Sequence, residues 1–196
     1  MAGKKKEKTR PQPMVAVDVE EDPLTVEQEA LIAQIQEAFK GVQLEDDGTS
    51  LQQTELLDAG RDPSDLEGLP TDERDDWTAI LDRTLEDFGV VFSFTDKKGY
   101  KFYLPAYMIW TIRHHPSTEY LEKRATQALN VDAAIYALNP DTYQFESVSF
   151  VKWFSTLQIQ AIIKFLEYST RHESLDIGTA ELNLEKIQKA VQKEND

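Results

Sequence analysis

FSFTDKKGYKFYLPAYMIWTIRHH, Phe92 to His115, carries strand, turn and helix signals in unbroken succession. Phe92 and Phe94 alternate with Ser93 and Thr95, and Tyr100, Phe102 and Leu104 alternate with Lys101 and Tyr103. Alternation of this kind is the pattern of a half-buried strand, and Asp96-Lys97-Lys98-Gly99 between the two runs has hairpin chemistry. Pro105 then stands where a first helical residue would, since its missing N–H costs nothing there. The stretch predicts a hairpin over Phe92–Leu104, a helix over Ala106–His114, and an end at Pro116.

Upstream, Thr25 with Gln28 has the spacing of a capping box. Leu31, Ile32, Ile35, Ala38 and Phe39 follow at helical spacing, and Gly41 is placed to end that helix at C′. Ser50 with Gln53 opens a second, short helix that Gly60 closes, followed by a polar linker from Arg61 to Pro70. A third helix is expected from Thr71 or Asp72, with Trp77, Ile80, Leu81, Leu85 and Phe88 on one face. Downstream, Glu119–Leu129 and Asp132–Leu138 read as helices, burying Tyr120, Leu121, Ala125, Ala128 and Leu129. Phe145–Phe154 reads as a strand or an irregular approach to a third capping box, Ser155 with Gln158. That box opens a helix burying Leu157, Ala161, Ile162, Phe165 and Leu166. Helices outnumber strands and the strands cluster, so the expected fold class is α+β: a mostly helical single domain with a small antiparallel hairpin or sheet. Its bounds are a basic, proline-bearing disordered tail over 1–23, a globular domain over 24–175, and a C-terminal helical extension or tail over 176–196 with Leu182, Leu184, Ile187 and Val191 on one face.

The run Phe94, Asp96, Gly99, Tyr100, Phe102, Tyr103, Leu104, Pro105, Ala106, Tyr107, Met108 resembles the signature of a bacterial family, domain of unknown function 6714. Ser50-Leu51 with Glu55 and Asp58, Asp76-Trp77, and Leu157–Ile162 with Phe165-Leu166 are similar to that family's other shared segments. The likeness spans roughly residues 26 to 170. It implies a fold and a set of framework positions, and it lets the third helix break partway. No activity, substrate or cofactor comes with it.

The net charge of −15 is unevenly spread. Residues 1–13 carry Lys4, Lys5, Lys6, Lys8 and Arg10 against Glu7, a net of +4, whereas residues 14–76 hold nineteen acids against Lys40, Arg61 and Arg74, a net of −16. Nucleic-acid affinity is mostly neutralisation of phosphates by Lys and Arg, so such a charge argues against nucleic-acid binding by the folded part. No apolar run approaches a membrane span, Val15-Ala16-Val17 is too short for a signal segment, and a cytoplasmic protein is the default expectation. The absence of cysteine removes disulfides, thiolate nucleophiles and Cys-ligated metal sites.

Chemistry-bearing motifs are sparse. His114 and His115 are adjacent and diverge by about 100° on a helix, so they suit a helix C-terminus beside Arg113 better than one metal ion; His172 is the third histidine. Glu45-Asp46-Asp47-Gly48 lacks the alternate acids and distal Glu of a calcium loop. Asp72, Glu73, Asp75 and Asp76 suit a helix start or, less simply, a carboxylate site. No nucleophile elbow, phosphate loop or dinucleotide fingerprint occurs, and no cofactor is expected. The residues singled out as interaction or cleft candidates are Asp58, Asp76, Trp77, Tyr103 and Tyr107; a partly exposed Tyr103–Tyr107 patch would suit a protein interface, but covering the hairpin edge and core is the favoured reading of these aromatics. Together these features suggest a non-enzymatic protein-binding module acting through an acidic surface on a basic protein. The rivals are an acidic immunity or inhibitor-type protein, and a metal-dependent hydrolase in which Asp58, Asp75 or Asp76 converge in one cleft.

Overall fold

The computed structural model describes residues 23–89, 91–115, 131–143 and 149–195. In chain order the helices are α1 Val26–Ala38, α2 Leu51–Asp58, a 3₁₀ turn at Trp77–Ala79, α3 Asp82–Asp87, α4 Val91–Phe94 and α5 Lys97–His114. There follow α6 Ala133–Ala137, 3₁₀ turns at Pro140–Tyr143 and Phe150–Trp153, α7 Thr156–Ser169 and α8 Ile177–Asn195. No strand occurs among the described residues, so the expected α+β class and its hairpin are overturned: the fold is helical. The expected helix at Glu119–Leu129 and the first part of Phe145–Phe154 lie outside the described residues. The end of the latter, Phe150–Trp153, is a 3₁₀ turn leading to the Ser155 cap.

The correction at residues 92–104 has a local cause. Asp96 accepts the Gly99 N–H through Oδ1 at 2.8 Å, which is an N-cap bond, and α5 runs on through Pro105 instead of starting there. The same Oδ1 accepts the N–H of Thr49 at 3.2 Å, fastening the loop before α2 to the start of α5. Gly99 is required by close approach. A Cβ there would collide with Thr95 Oγ1 and sit 2.5 Å from the Thr49 carbonyl oxygen.

All three capping boxes form, at Thr25/Gln28, Ser50/Gln53 and Ser155/Gln158. Gly41 and Gly60 end α1 and α2 at positive φ, 74° and 66°; Gly41 lies one residue beyond the expected C′ position. The third helix does break: Ile80 and Leu81 are extended between the 3₁₀ turn and α3, leaving Leu81 70% exposed where burial was expected. Leu157 is exposed as well, whereas Ala161, Ile162, Phe165 and Leu166 are buried.

α5 is the axis of the fold. It packs against α1, α3, α6 and the Trp77–Ala79 turn, while α7 lies between α1 and α8, and α8 also packs on α6. From Phe102 to Ile112 every side chain of α5 is buried, Pro105 included. Pro105 has no N–H to offer the Lys101 carbonyl, a loss tolerated here because the packing around the helix holds it in place. Phe92 meets Tyr100 and Tyr107 edge-on at 5.0 and 5.1 Å, and Tyr100 meets Phe150, Trp153 and Phe154. Each such aromatic pair is worth about 0.5–1.5 kcal/mol beyond its buried area. On α8, Ala180, Asn183 and Ile187 are buried and Leu184 and Val191 pack on the core, while Leu182 is exposed.

Candidate functional site

The capping chemistry of α2 and the break before α3 together open a cleft of about 930 Å³. One wall is α2, presenting Gln52, Glu55, Leu56 and Ala59; the opposite wall is Ile80, Leu81, Thr84, Asp87 and Phe88. Gly60 turns the chain out of α2, and the segment Leu69–Glu73 returns along the cleft. There Asp72 Oδ2 accepts the Gln52 N–H at 3.0 Å. Tyr103 of α5 closes the base, its hydroxyl oxygen accepting the Leu51 N–H at 3.2 Å. With Gln53 N–H donating to Ser50 Oγ, these first amides of α2 are all engaged, which leaves no free helix N-terminus for an anion.

The cleft walls thus mix apolar side chains with the carboxylates of Glu55 and Asp87. Neither makes an ion pair or side-chain hydrogen bond with any described residue. The cation that lines the cleft, Arg61, is paired with Asp65 at 2.6 Å. Other acids nearby are consumed by their own backbone. Glu73 accepts the N–H groups of Asp76 and Asp75, which hold its carboxyl below the usual range. Asp76 accepts both the hydroxyl and the N–H of Thr78, with the same effect.

The sequence-stated candidates separate into different environments. Asp58 ends α2 and is exposed. Asp76 is an exposed N-cap, and Asp75 and Asp76 line a second cavity of about 410 Å³ with Lys40 and Trp77, which Asp58 does not line. Trp77 is buried and donates its indole N–H to the Phe39 carbonyl at 3.0 Å, pinning the 3₁₀ turn to the end of α1. Tyr103 and Tyr107 are fully buried, so they belong to the core and form no partly exposed patch. Tyr107 donates to the Phe88 carbonyl at 2.6 Å. Burial raises the ionisation of both phenols well above the ordinary range, with Asp72 adding to the effect at Tyr103.

The acidic turn at Glu45–Gly48 is organised by cations of the chain itself. Lys98 Nζ lies 2.6 Å from both Glu45 and Asp47, and Arg74 donates to the carbonyls of Glu45, Asp46 and Gly48 at 2.6, 3.0 and 3.0 Å. Among the described residues no group of three His, Asp or Glu side chains is placed to hold a metal ion. No helix there is long and apolar enough to cross a membrane.

The histidines divide between two sites. His114 Nε2 lies 2.7 Å from Asp82 Oδ2, a contact that, more than any other, draws the Asp82 carboxyl below its usual range. His115 is buried at the end of α5, its Nδ1 2.7 Å from Ser174 Oγ and its Nε2 2.6 Å from Tyr168 Oη, with the His172 ring 4.8 Å away. Burial, reinforced by His172, lowers its pKa to about 4. The sequence pattern gave no sign of this set, because its members lie on three elements up to 59 residues apart. Asp87 and Leu81 were equally hidden, since an unbroken third helix turns Leu81 inward.

The model of a family of unknown function, DUF6714, matches residues 27–192. No curated protein and no solved structure matches the chain.

Proposed function

The chain belongs to the DUF6714 family of unknown function, and we propose that it is a binding module whose cleft between α2 and α3 takes a cationic, partly apolar protein segment. The observation that carries this reading is the combination of Glu55 and Asp87, carboxylates with no cation partner among the described residues, with an apolar lining that includes the exposed Leu81. Lys and Arg stems cover apolar surface while their charged heads reach a carboxylate, so one ligand class satisfies both halves of the cleft. The volume is that of a site for a few side chains of a peptide. The net charge of −15 adds a long-range field that speeds the approach of a basic partner and fades with added salt.

The test is an amide chemical-shift titration with a peptide of alternating Arg and Leu. Shifts concentrated at Glu55, Leu81 and Asp87, weakened by salt and lost in the E55Q/D87N variant, support the reading. Shifts spread evenly over the acidic surface, or unchanged by E55Q/D87N, sink it.

A further inference from the structure

Residues 1–22 lie outside the described residues, and their sequence begins with the densest positive charge in the chain. We propose that this run, Lys4–Arg10, is the resident occupant of the cleft, seated against Glu55 and Asp87 of its own chain until a competing cationic segment displaces it. The inference rests on the cleft reading above and adds a regulation to it.

Complementarity is the first support. Lys4, Lys5, Lys6, Lys8 and Arg10 stand against Glu7, and the cleft offers Glu55 and Asp87 with no cation of their own among the described residues. Reach is the second. The start of α1 is fixed to the end of α5 by Gln28 Nε2 donating to the Ile112 carbonyl at 2.9 Å. Tyr103, at the base of the cleft, lies nine residues earlier on α5, about 13 Å along the helix axis. The chain from Arg10 to Pro23 spans up to about 43 Å when extended, so the tether exceeds the distance along α5 threefold. The third support is concentration. A segment tethered at this range is present at an effective concentration on the order of millimolar, above that of a second copy or a dilute partner. Weak, salt-sensitive contacts are then enough to keep the cleft occupied, and a tighter ligand exchanges with the run without any rearrangement of the helices.

The chain has no cysteine, so Gly3→Cys in the full chain takes a single nitroxide label. Broadening of the Glu55, Leu81 and Asp87 amides that survives dilution and disappears at high ionic strength is the expected result. Absence of broadening at those amides, or broadening seen only between labelled and unlabelled chains in a mixed sample, overturns the proposal. A second variant, K4Q/K5Q/K6Q/K8Q/R10Q in the full chain, should bind the Arg-Leu peptide about tenfold more tightly than the parent. Equal affinity overturns self-occupancy and leaves the cleft reading standing. Failure of the peptide to bind even the neutralised variant removes both.

Discussion

Tyr168 and His115 meet through Oη and Nε2 at 2.6 Å, joining the end of α5 to α7 in a buried contact whose other side is Ser174. A neutral imidazole satisfies both hydroxyls, as donor to one and acceptor from the other, and a charged one gives up an acceptor in a site that water barely reaches.

Stability should therefore fall on acidification. The folded-state pKa of His115 is depressed to about 4 from the ordinary 6.5, so the unfolded chain takes up this proton first. The contribution is fully present above about pH 6.5 and is lost as pH falls towards 4, amounting to roughly 2–3 kcal/mol. His172, also depressed by burial, acts in the same direction. Denaturant unfolding at a series of pH values checks this: H115Q should be less stable than the parent at neutral pH and show a flatter decline below pH 6.5. Parallel curves would disprove the assignment.

Gly99→Ala should destabilise the fold by about 1–3 kcal/mol, because the added methyl meets the Thr49 carbonyl oxygen, a backbone atom that cannot swing aside. Asp96→Ala should cost about 1–2 kcal/mol by removing the acceptor of both the Gly99 and Thr49 N–H groups. Chemical denaturation measures both. Under a hairpin Gly99→Ala would still hurt, but Asp96→Ala would not loosen the start of α5 in hydrogen exchange, and here it should.

Trp77→Phe keeps the buried ring but removes the indole N–H from the Phe39 carbonyl, which retains the Val42 N–H at 3.2 Å, and a loss of about 1 kcal/mol is expected. Tyr103→Phe deprives the Leu51 N–H of its acceptor and should cost about 1 kcal/mol. Thermal unfolding of the two variants tests the pair. An unchanged midpoint in W77F would remove the pin between α1 and the 3₁₀ turn.

E55Q/D87N should leave stability within about 0.5 kcal/mol of the parent, because neither carboxylate holds an ion-pair or side-chain hydrogen-bond partner among the described residues. A loss of peptide binding in this variant is then a loss of recognition. A large drop in its unfolding midpoint would instead give these residues a structural role.

The parts of the fold that were legible in sequence are those that local chemistry decides. Thr25/Gln28, Ser50/Gln53 and Ser155/Gln158 close their boxes within four residues, and all three form. The hairpin failed for a reason that also lies in the residues. A helix buried all round shows no 3.6-residue period, so the aromatics of α5 left only their chance alternation to be read. Asp96 and Gly99 carry signals shared by a turn and an N-cap, and the Thr49 carbonyl that demands Gly99 comes from 50 residues upstream. The family resemblance held even though the secondary structure read from the same residues did not, since it rests on residue identities. Of the candidate site, Glu55 stood in a segment similar to the family's, but the break that exposes Leu81 and frees Asp87 is a tertiary outcome.

The signature run Phe94–Met108 is mostly interior wall, buried along α5 and touching the cleft only at Tyr103. A protein recognised by that run inherits an architecture. The cleft proposed above as a peptide site is lined elsewhere, by Arg61, Leu81, Thr84 and Asp87 among others, so under that proposal a substitution there changes the guest and spares the house.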